Sequence, residues 1–108
     1  MWNPIYDEEA FRSYMKKQAV SKEHVQNSIS RCRKVNYWEG NLYQHYTNDR
    51  GSSLLDRLTY TKDDVERCIE SKHNLPIDGN NGYMSIYYGT ASLRNAVQHY
   101  FEFLRQLD

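Results

Sequence analysis

The histidines and cysteines are the residues with which this sequence could hold a metal ion or carry out nucleophilic chemistry. They are dispersed along the chain, at His24, His45, His73, His99, Cys32 and Cys68. None of them recurs at the short cysteine and histidine spacings of a zinc site. The turn GNNG also lacks the Lys-Ser/Thr pair that completes a phosphate-binding loop. We therefore expect no metal, no cofactor and no enzymatic activity.

Basic residues gather in one part of a chain whose formal net charge is zero. Residues 12–34 contain seven lysines and arginines against one acid, Glu23, which gives this segment a charge of +6 and leaves −6 to the remainder. A cationic helix face can lie against phosphates, and asparagine can read base edges. The candidates for such a surface on double-stranded DNA are Lys16, Lys17, Lys22, Asn27, Arg31 and Lys34. The alternative is a solvated face that is balanced by acids elsewhere in the fold.

Two helices must position these basic residues. Asn3-Pro4 is typical of a helix start and predicts a first helix over 4–18. Ser21 can cap a second helix that ends near Gly40. Asn27, Arg31 and Lys34 recur on that helix at i, i+4 and i+7, opposite an apolar stripe formed by Val25, Ile29 and Cys32.

Shorter helices are predicted to follow. Leucine and tyrosine spacing indicates one helix around 42–46, stopped by the sequence NDRG, and another around 54–58. Thr61 and Asp64 resemble a capping box and predict a helix near 62–72. Cys32 and Cys68 each fall on the apolar face of a predicted helix, so we expect both to be buried, reduced thiols.

The segment 74–89 departs from the helical pattern. Asp78-Gly79 and Asn81-Gly82 are turn signals, so a short β-hairpin and a long loop are both open here. Thr90 can cap a last helix with a wide apolar face, which comprises Leu93, Ala96, Val97, Tyr100, Leu104 and Leu107. The predicted fold is mostly α, a compact bundle of about five helices in a single domain over residues 1–108.

Tyrosine is frequent, with ten residues, and several cluster in NYWEGNLYQHY and GYMSIYYG. Tyrosine provides a large contact area at low entropic cost, which suits a protein-binding surface. The candidates for such a surface are Tyr43, Tyr46, Tyr83, Tyr87 and Tyr88. The alternative is that these rings close a small core and keep their hydroxyls in water.

Two segments carry a resemblance to a known family. FRSYMKKQAVSKEHVQNSISRCRKV resembles the opening of the core-binding, SAM-like domain of tyrosine recombinases and phage integrases, and ASLRNAVQHYFEFL is similar to the helix that ends it. The resemblance implies DNA contact by the second and last helices. It implies no recombinase activity, because the catalytic arginine, histidine and tyrosine set lies in a domain that this sequence does not include. Members of the family are usually basic, whereas this chain is neutral.

These observations favour a non-enzymatic, helical DNA-binding module. The alternative is a small phage or mobile-element protein that binds and inhibits or adapts a host protein, such as a defence nuclease. The opening residues, MWNPIYDEEAF, have neither the basic start nor the apolar run of a signal peptide. The expected location is therefore the cytoplasm, without contact with the membrane.

Overall fold

Helices make up most of the fold in the computed structural model, which describes residues 3–18 and 20–107. In chain order they are α1 (Glu8–Lys17), α2 (Lys22–Glu39), α3 (Leu42–Asp49), α4 (Ser52–Arg57), α5 (Lys62–Glu66) and α6 (Tyr83–Gln106). The mostly α class is confirmed, with one helix more than expected. None of the helices in these ranges is long and apolar enough to cross a membrane.

The long helices α2 and α6 form the centre of the molecule and pack more extensively against each other than any other pair. They run antiparallel, since His24 near the start of α2 lies beside His99 near the end of α6. Between them the thiol of Cys32 donates to the carbonyl oxygen of Ala96 at 3.3 Å. The core that they share is rich in large side chains. Phe11, Ile29, Val97, Tyr100 and Phe101 are each at most 2% exposed.

The start of the chain differs from the prediction. The first helix begins at Glu8 rather than at Pro4, and Asp7 before it has a left-handed φ of 56°. Residues 3–7 instead contact α6, where the Tyr100 hydroxyl donates to the carbonyl oxygen of Tyr6 at 2.7 Å. A buried tyrosine hydroxyl needs a partner, and the turn before α1 provides one. The Asn3-Pro4 signal therefore does not mark the helix boundary.

The predicted helix over 62–72 is also shorter than expected. Its capping box is present, with Thr61 and Asp64 bonded to each other's backbone N–H, but the helix ends at Glu66. Cys68 then adopts a left-handed φ of 55°, and two backbone bonds, Cys68 to Val65 and Ile69 to Asp64, close a Schellman motif. Glycine is the usual residue at that position, so the sequence contained no stop signal there.

Neither the β-hairpin nor a loop reaching residue 89 is present. The described residues contain no strand, and α6 begins at Tyr83, directly after the Asn81-Gly82 turn. Thr90, expected as the cap of the last helix, instead lies within it and is buried. The alternation in YMSIY suggested a strand, but tertiary contacts stabilise the helical alternative. Ile77 packs directly on Gly89, where a β-carbon would lie 2.8 Å from its Cγ2.

Candidate nucleic-acid interface

The basic segment forms a helical hairpin of α1 and α2. The two helices run antiparallel, because Arg12 on α1 bonds Gln26 near the start of α2, and Glu8 at the start of α1 bonds Arg33 near the end of α2. Ser21 caps α2 as predicted, accepting from the backbone N–H of His24 at 3.1 Å. The hairpin therefore fixes the backbone position of the basic residues singled out by the sequence.

Two of the seven basic residues form ion pairs within the fold. Arg33 donates to both carboxylate oxygens of Glu8 at 2.6 Å, and Glu8 is only 7% exposed. These hydrogen bonds lower the pKa of the Glu8 carboxyl, although partial burial opposes them, and they raise the pKa of Arg33. Arg12 lies 3.4 Å from the carboxylate of Glu9. Neither Arg12 nor Arg33 belongs to the predicted DNA surface.

Three predicted residues lie at the tip of the hairpin. Lys16, Lys17 and Lys22, which we call the tip patch, are all exposed. Lys16 and Lys22 share a cleft of about 280 Å³ with Arg12 and the acid Glu23, and Val25 contributes to its lining. No carboxylate within the described ranges approaches these three ammonium groups to 4 Å. The tip patch is therefore a cationic surface whose three ammonium groups form no ion pair among the described residues.

The other three predicted residues, Asn27, Arg31 and Lys34, form the α2 stripe. Asn27 is exposed, whereas Arg31 and Lys34 are half-buried. Arg31 and Lys34 line a cleft of about 260 Å³ that is completed by Pro76, Ile77, Asp78, Gly89, Ser92 and Leu93. The aliphatic stems of such side chains can pack on a neighbouring segment while their charged ends stay in water. Asp78 shares this cleft, yet within the described chain neither cation has a carboxylate inside 4 Å.

The tip patch and the α2 stripe do not form one flat surface. Lys22 and Arg31 are nine positions apart on α2, which corresponds to a rotation of about 180° and a rise of about 14 Å. Lys22 faces the side on which α1 packs, whereas Arg31 faces the segment 76–78 and α6. A ligand that contacts both patches must therefore curve around the hairpin.

The sequence interpretation overlooked Trp38. It continues the α2 stripe, since Asn27, Arg31, Lys34 and Trp38 stand at i, i+4, i+7 and i+11. Trp38 is 40% exposed, and its ring meets that of Tyr37 edge-to-face at a centroid distance of 5.5 Å. The helical spacing of Trp38, which places a tryptophan on the basic face of α2, is the sequence feature that could have identified it.

The five tyrosines of the alternative surface are divided by the fold. Tyr46 is 4% exposed and belongs to the core, and Tyr43 stacks on Tyr6 at a centroid distance of 3.9 Å. Tyr83, Tyr87 and Tyr88 lie instead in the first turns of α6. Of the five, Tyr88 is the most open, at 59% exposure. The structure therefore does not bring the predicted tyrosines together.

The histidine, cysteine and acidic side chains that the structure describes form no metal centre. Among residues 3–18 and 20–107 no group of three or more histidine, cysteine or acidic side chains could hold a metal ion. Both ring nitrogens of the buried His73 have hydrogen-bond partners within the fold. Its Nε2 lies 2.8 Å from the Thr90 hydroxyl, and its Nδ1 accepts from the backbone N–H of Leu75. Burial lowers the pKa of this imidazole, which keeps the ring neutral.

Comparison of the chain with known proteins identifies no relative. No family model, no curated protein and no solved structure matches this chain.

Proposed function

We propose that this chain is a non-enzymatic helical module that binds double-stranded DNA through the α2 stripe, with phosphate contacts added by the tip patch. The observation that carries the proposal is the division of the basic residues. Arg12 and Arg33 are held by acids of α1, whereas Arg31 and Lys34 follow the exposed Asn27 on one helix face with no carboxylate of the described residues within 4 Å. The cytoplasm is the location that we propose for this activity.

Each residue has a distinct role in this proposal. The cations contact phosphates, which contributes affinity without sequence preference. Asn27 stands on the same helix face, and its amide has the donor and acceptor pair that matches the edge of an adenine. The resemblance to integrase core-binding domains supports the same assignment, because it implies DNA contact by the second helix.

The test replaces Arg31 and Lys34 together by glutamine, which removes both charges and retains much of the half-buried stems. Binding to a mixed-sequence duplex should weaken. The slope of log affinity against log salt should become shallower by about 0.9 for each phosphate that the variant no longer neutralises. Gel shifts over a range of salt concentrations measure both quantities. Asn27→Ala should change the sequence preference and leave the slope unaltered.

A matched control removes two charges from another helix. Lys62→Gln with Arg67→Gln changes the net charge by the same amount at the first residue and the C-cap of α5, outside α1 and α2. This variant should retain the wild-type slope. If the wild type fails to shift duplex DNA even at low salt, where phosphate attraction is strongest, DNA binding is the wrong function.

The exposure of Tyr88 favours a second candidate, a small protein that binds and inhibits or adapts a host protein, such as a defence nuclease. Exposed aromatic side chains often contribute a large share of the binding energy at protein interfaces. This candidate requires a partner whose affinity depends on Tyr88 and is insensitive to Arg31 and Lys34. Calorimetric titration of a purified candidate nuclease against Tyr88→Ala and the double glutamine variant distinguishes the two functions.

A further inference from the structure

Exposed aromatic rings flank the cations of the α2 stripe. Trp38 lies one helical turn beyond Lys34 on the same face of α2 and is 40% exposed, and the neighbouring Tyr37 is 62% exposed. On the facing helix, Tyr88 is 59% exposed and directly precedes Gly89. Gly89 and Ser92 line the same cleft as Arg31 and Lys34, and the Ser92 hydroxyl donates to the carbonyl oxygen of Tyr88. Trp38 therefore shares the helix face of the two cations, and Tyr88 lies next in sequence to a residue that borders their cleft.

A protein that binds only a regular duplex does not require exposed aromatic rings beside its cations. Phosphate contacts need cations and polar donors, and the bases of a duplex are stacked on one another and offer their flat faces to no side chain. Large exposed rings next to cations are instead typical of sites for unpaired strands, where bases stack on aromatic side chains while the cations follow the backbone. The chemistry of the region thus fits a base with a free face and an adjacent phosphate.

We propose that the α2 stripe and Trp38 together bind unpaired DNA bases, so that the preferred ligand is a duplex with a single-stranded extension. Trp38 provides the stacking face, and Arg31 and Lys34 hold the phosphates next to the stacked base. This assignment rests on the proposed function, since it names the form of DNA that the same site prefers.

The experiment compares three DNA probes by fluorescence anisotropy: a blunt duplex, the same duplex with a short thymidine overhang, and a single-stranded oligothymidine. The wild type should bind the overhang duplex about tenfold more tightly than the blunt duplex, a difference within the range of one or two stacked bases. Trp38→Ala should remove most of this advantage, so that the overhang duplex and the blunt duplex bind with similar affinity. Trp38→Phe, which keeps an aromatic face, should restore a large part of it.

Two controls separate stacking from general effects. Leu107→Ala removes an apolar side chain that is 57% exposed at the far end of α6, and it should preserve the overhang preference. In a Trp2→Phe background Trp38 is the remaining tryptophan of the sequence, and its emission should be quenched by oligothymidine. Thermal unfolding of each variant verifies that the fold is retained.

The outcomes distinguish this inference from the function on which it rests. Equal binding of blunt and overhang duplexes, with binding still dependent on Arg31 and Lys34, overturns the base-stacking assignment and leaves duplex binding in place. Competition by polyglutamate at the same charge concentration as oligothymidine would show a site for any anionic polymer and overturn it as well. The absence of binding to all three probes overturns both proposals.

Discussion

Single residues show how far burial, rather than residue type, determines chemical character in this protein. Cys32 and Cys68 both occupied apolar positions in predicted helices, yet Cys32 is fully buried and Cys68 is exposed. The expectation of two buried thiols is therefore wrong for Cys68, because α5 ends before reaching it. For Cys32, burial raises the pKa of the thiol well above its ordinary value.

We expect one fast and one slow cysteine in the native protein. Cys68 should react with a thiol reagent at close to the rate of a free cysteine, whereas Cys32 should react only when the protein opens or is denatured. Counting labelled thiols by mass spectrometry over time, with and without denaturant, checks this. Cys68→Ser should abolish the fast phase, and rapid labelling of both thiols in the wild type would contradict the packing of α2 on α6.

At the scale of elements, α6 organises the core. Leu93 and Leu104 are 5% and 2% exposed, and both lie on the face of α6 that packs against the rest of the bundle. Leu107 was expected on the same face, but it follows the end of the helix and is 57% exposed. Helical spacing therefore predicted burial correctly for Leu93 and Leu104, whose turns pack against the bundle. It was wrong for Leu107, which lies beyond the end of the helix.

Replacement of Leu93 or Leu104 by alanine should lower the free energy of unfolding by about 2–5 kcal/mol, the usual cost of removing a buried leucine side chain. Leu107→Ala is the matched control and should cost less than about 0.5 kcal/mol. Urea unfolding followed by circular dichroism measures all three. A loss below about 0.5 kcal/mol at both core positions is incompatible with a buried α6 face.

At the scale of the whole molecule, the stability should depend on pH through His73. The side chain joins the segment before α6 to the helix itself, through its contacts with Thr90 and Leu75. Burial holds its pKa below the ordinary value of about 6.5, and the nearby Glu39 opposes this only in part. The unfolded chain therefore binds a proton more readily than the folded chain does.

The sign of the effect follows from that difference. The stabilisation from a neutral His73 is fully present above about pH 6.5 and is lost as the pH falls from there towards the lowered folded-state pKa. Urea unfolding at neutral and mildly acidic pH should show a decrease in stability, and His73→Gln should make that decrease smaller. An identical pH dependence in the variant would assign the effect to other groups.

The sequence determined the features that depend on local spacing. It predicted the mostly α class, the caps at Ser21 and Thr61 and the burial of most of the α6 face, because capping bonds and amphipathic periodicity are properties of a few consecutive residues. It also identified the excess charge of the α1–α2 segment, since charge is a sum over residue types.

Only the tertiary structure decided which of those residues share a surface. In the folded protein Arg33 bonds Glu8, which is 25 positions away in the sequence. The tip patch and the α2 stripe lie on different sides of the hairpin, and the five predicted tyrosines do not share one surface. The tertiary structure also made 83–89 helical, where Ile77 packs against Gly89. These outcomes depend on the direction in which antiparallel helices face one another and on contacts between distant residues. Neither is contained in the local periodicity from which a single sequence is interpreted.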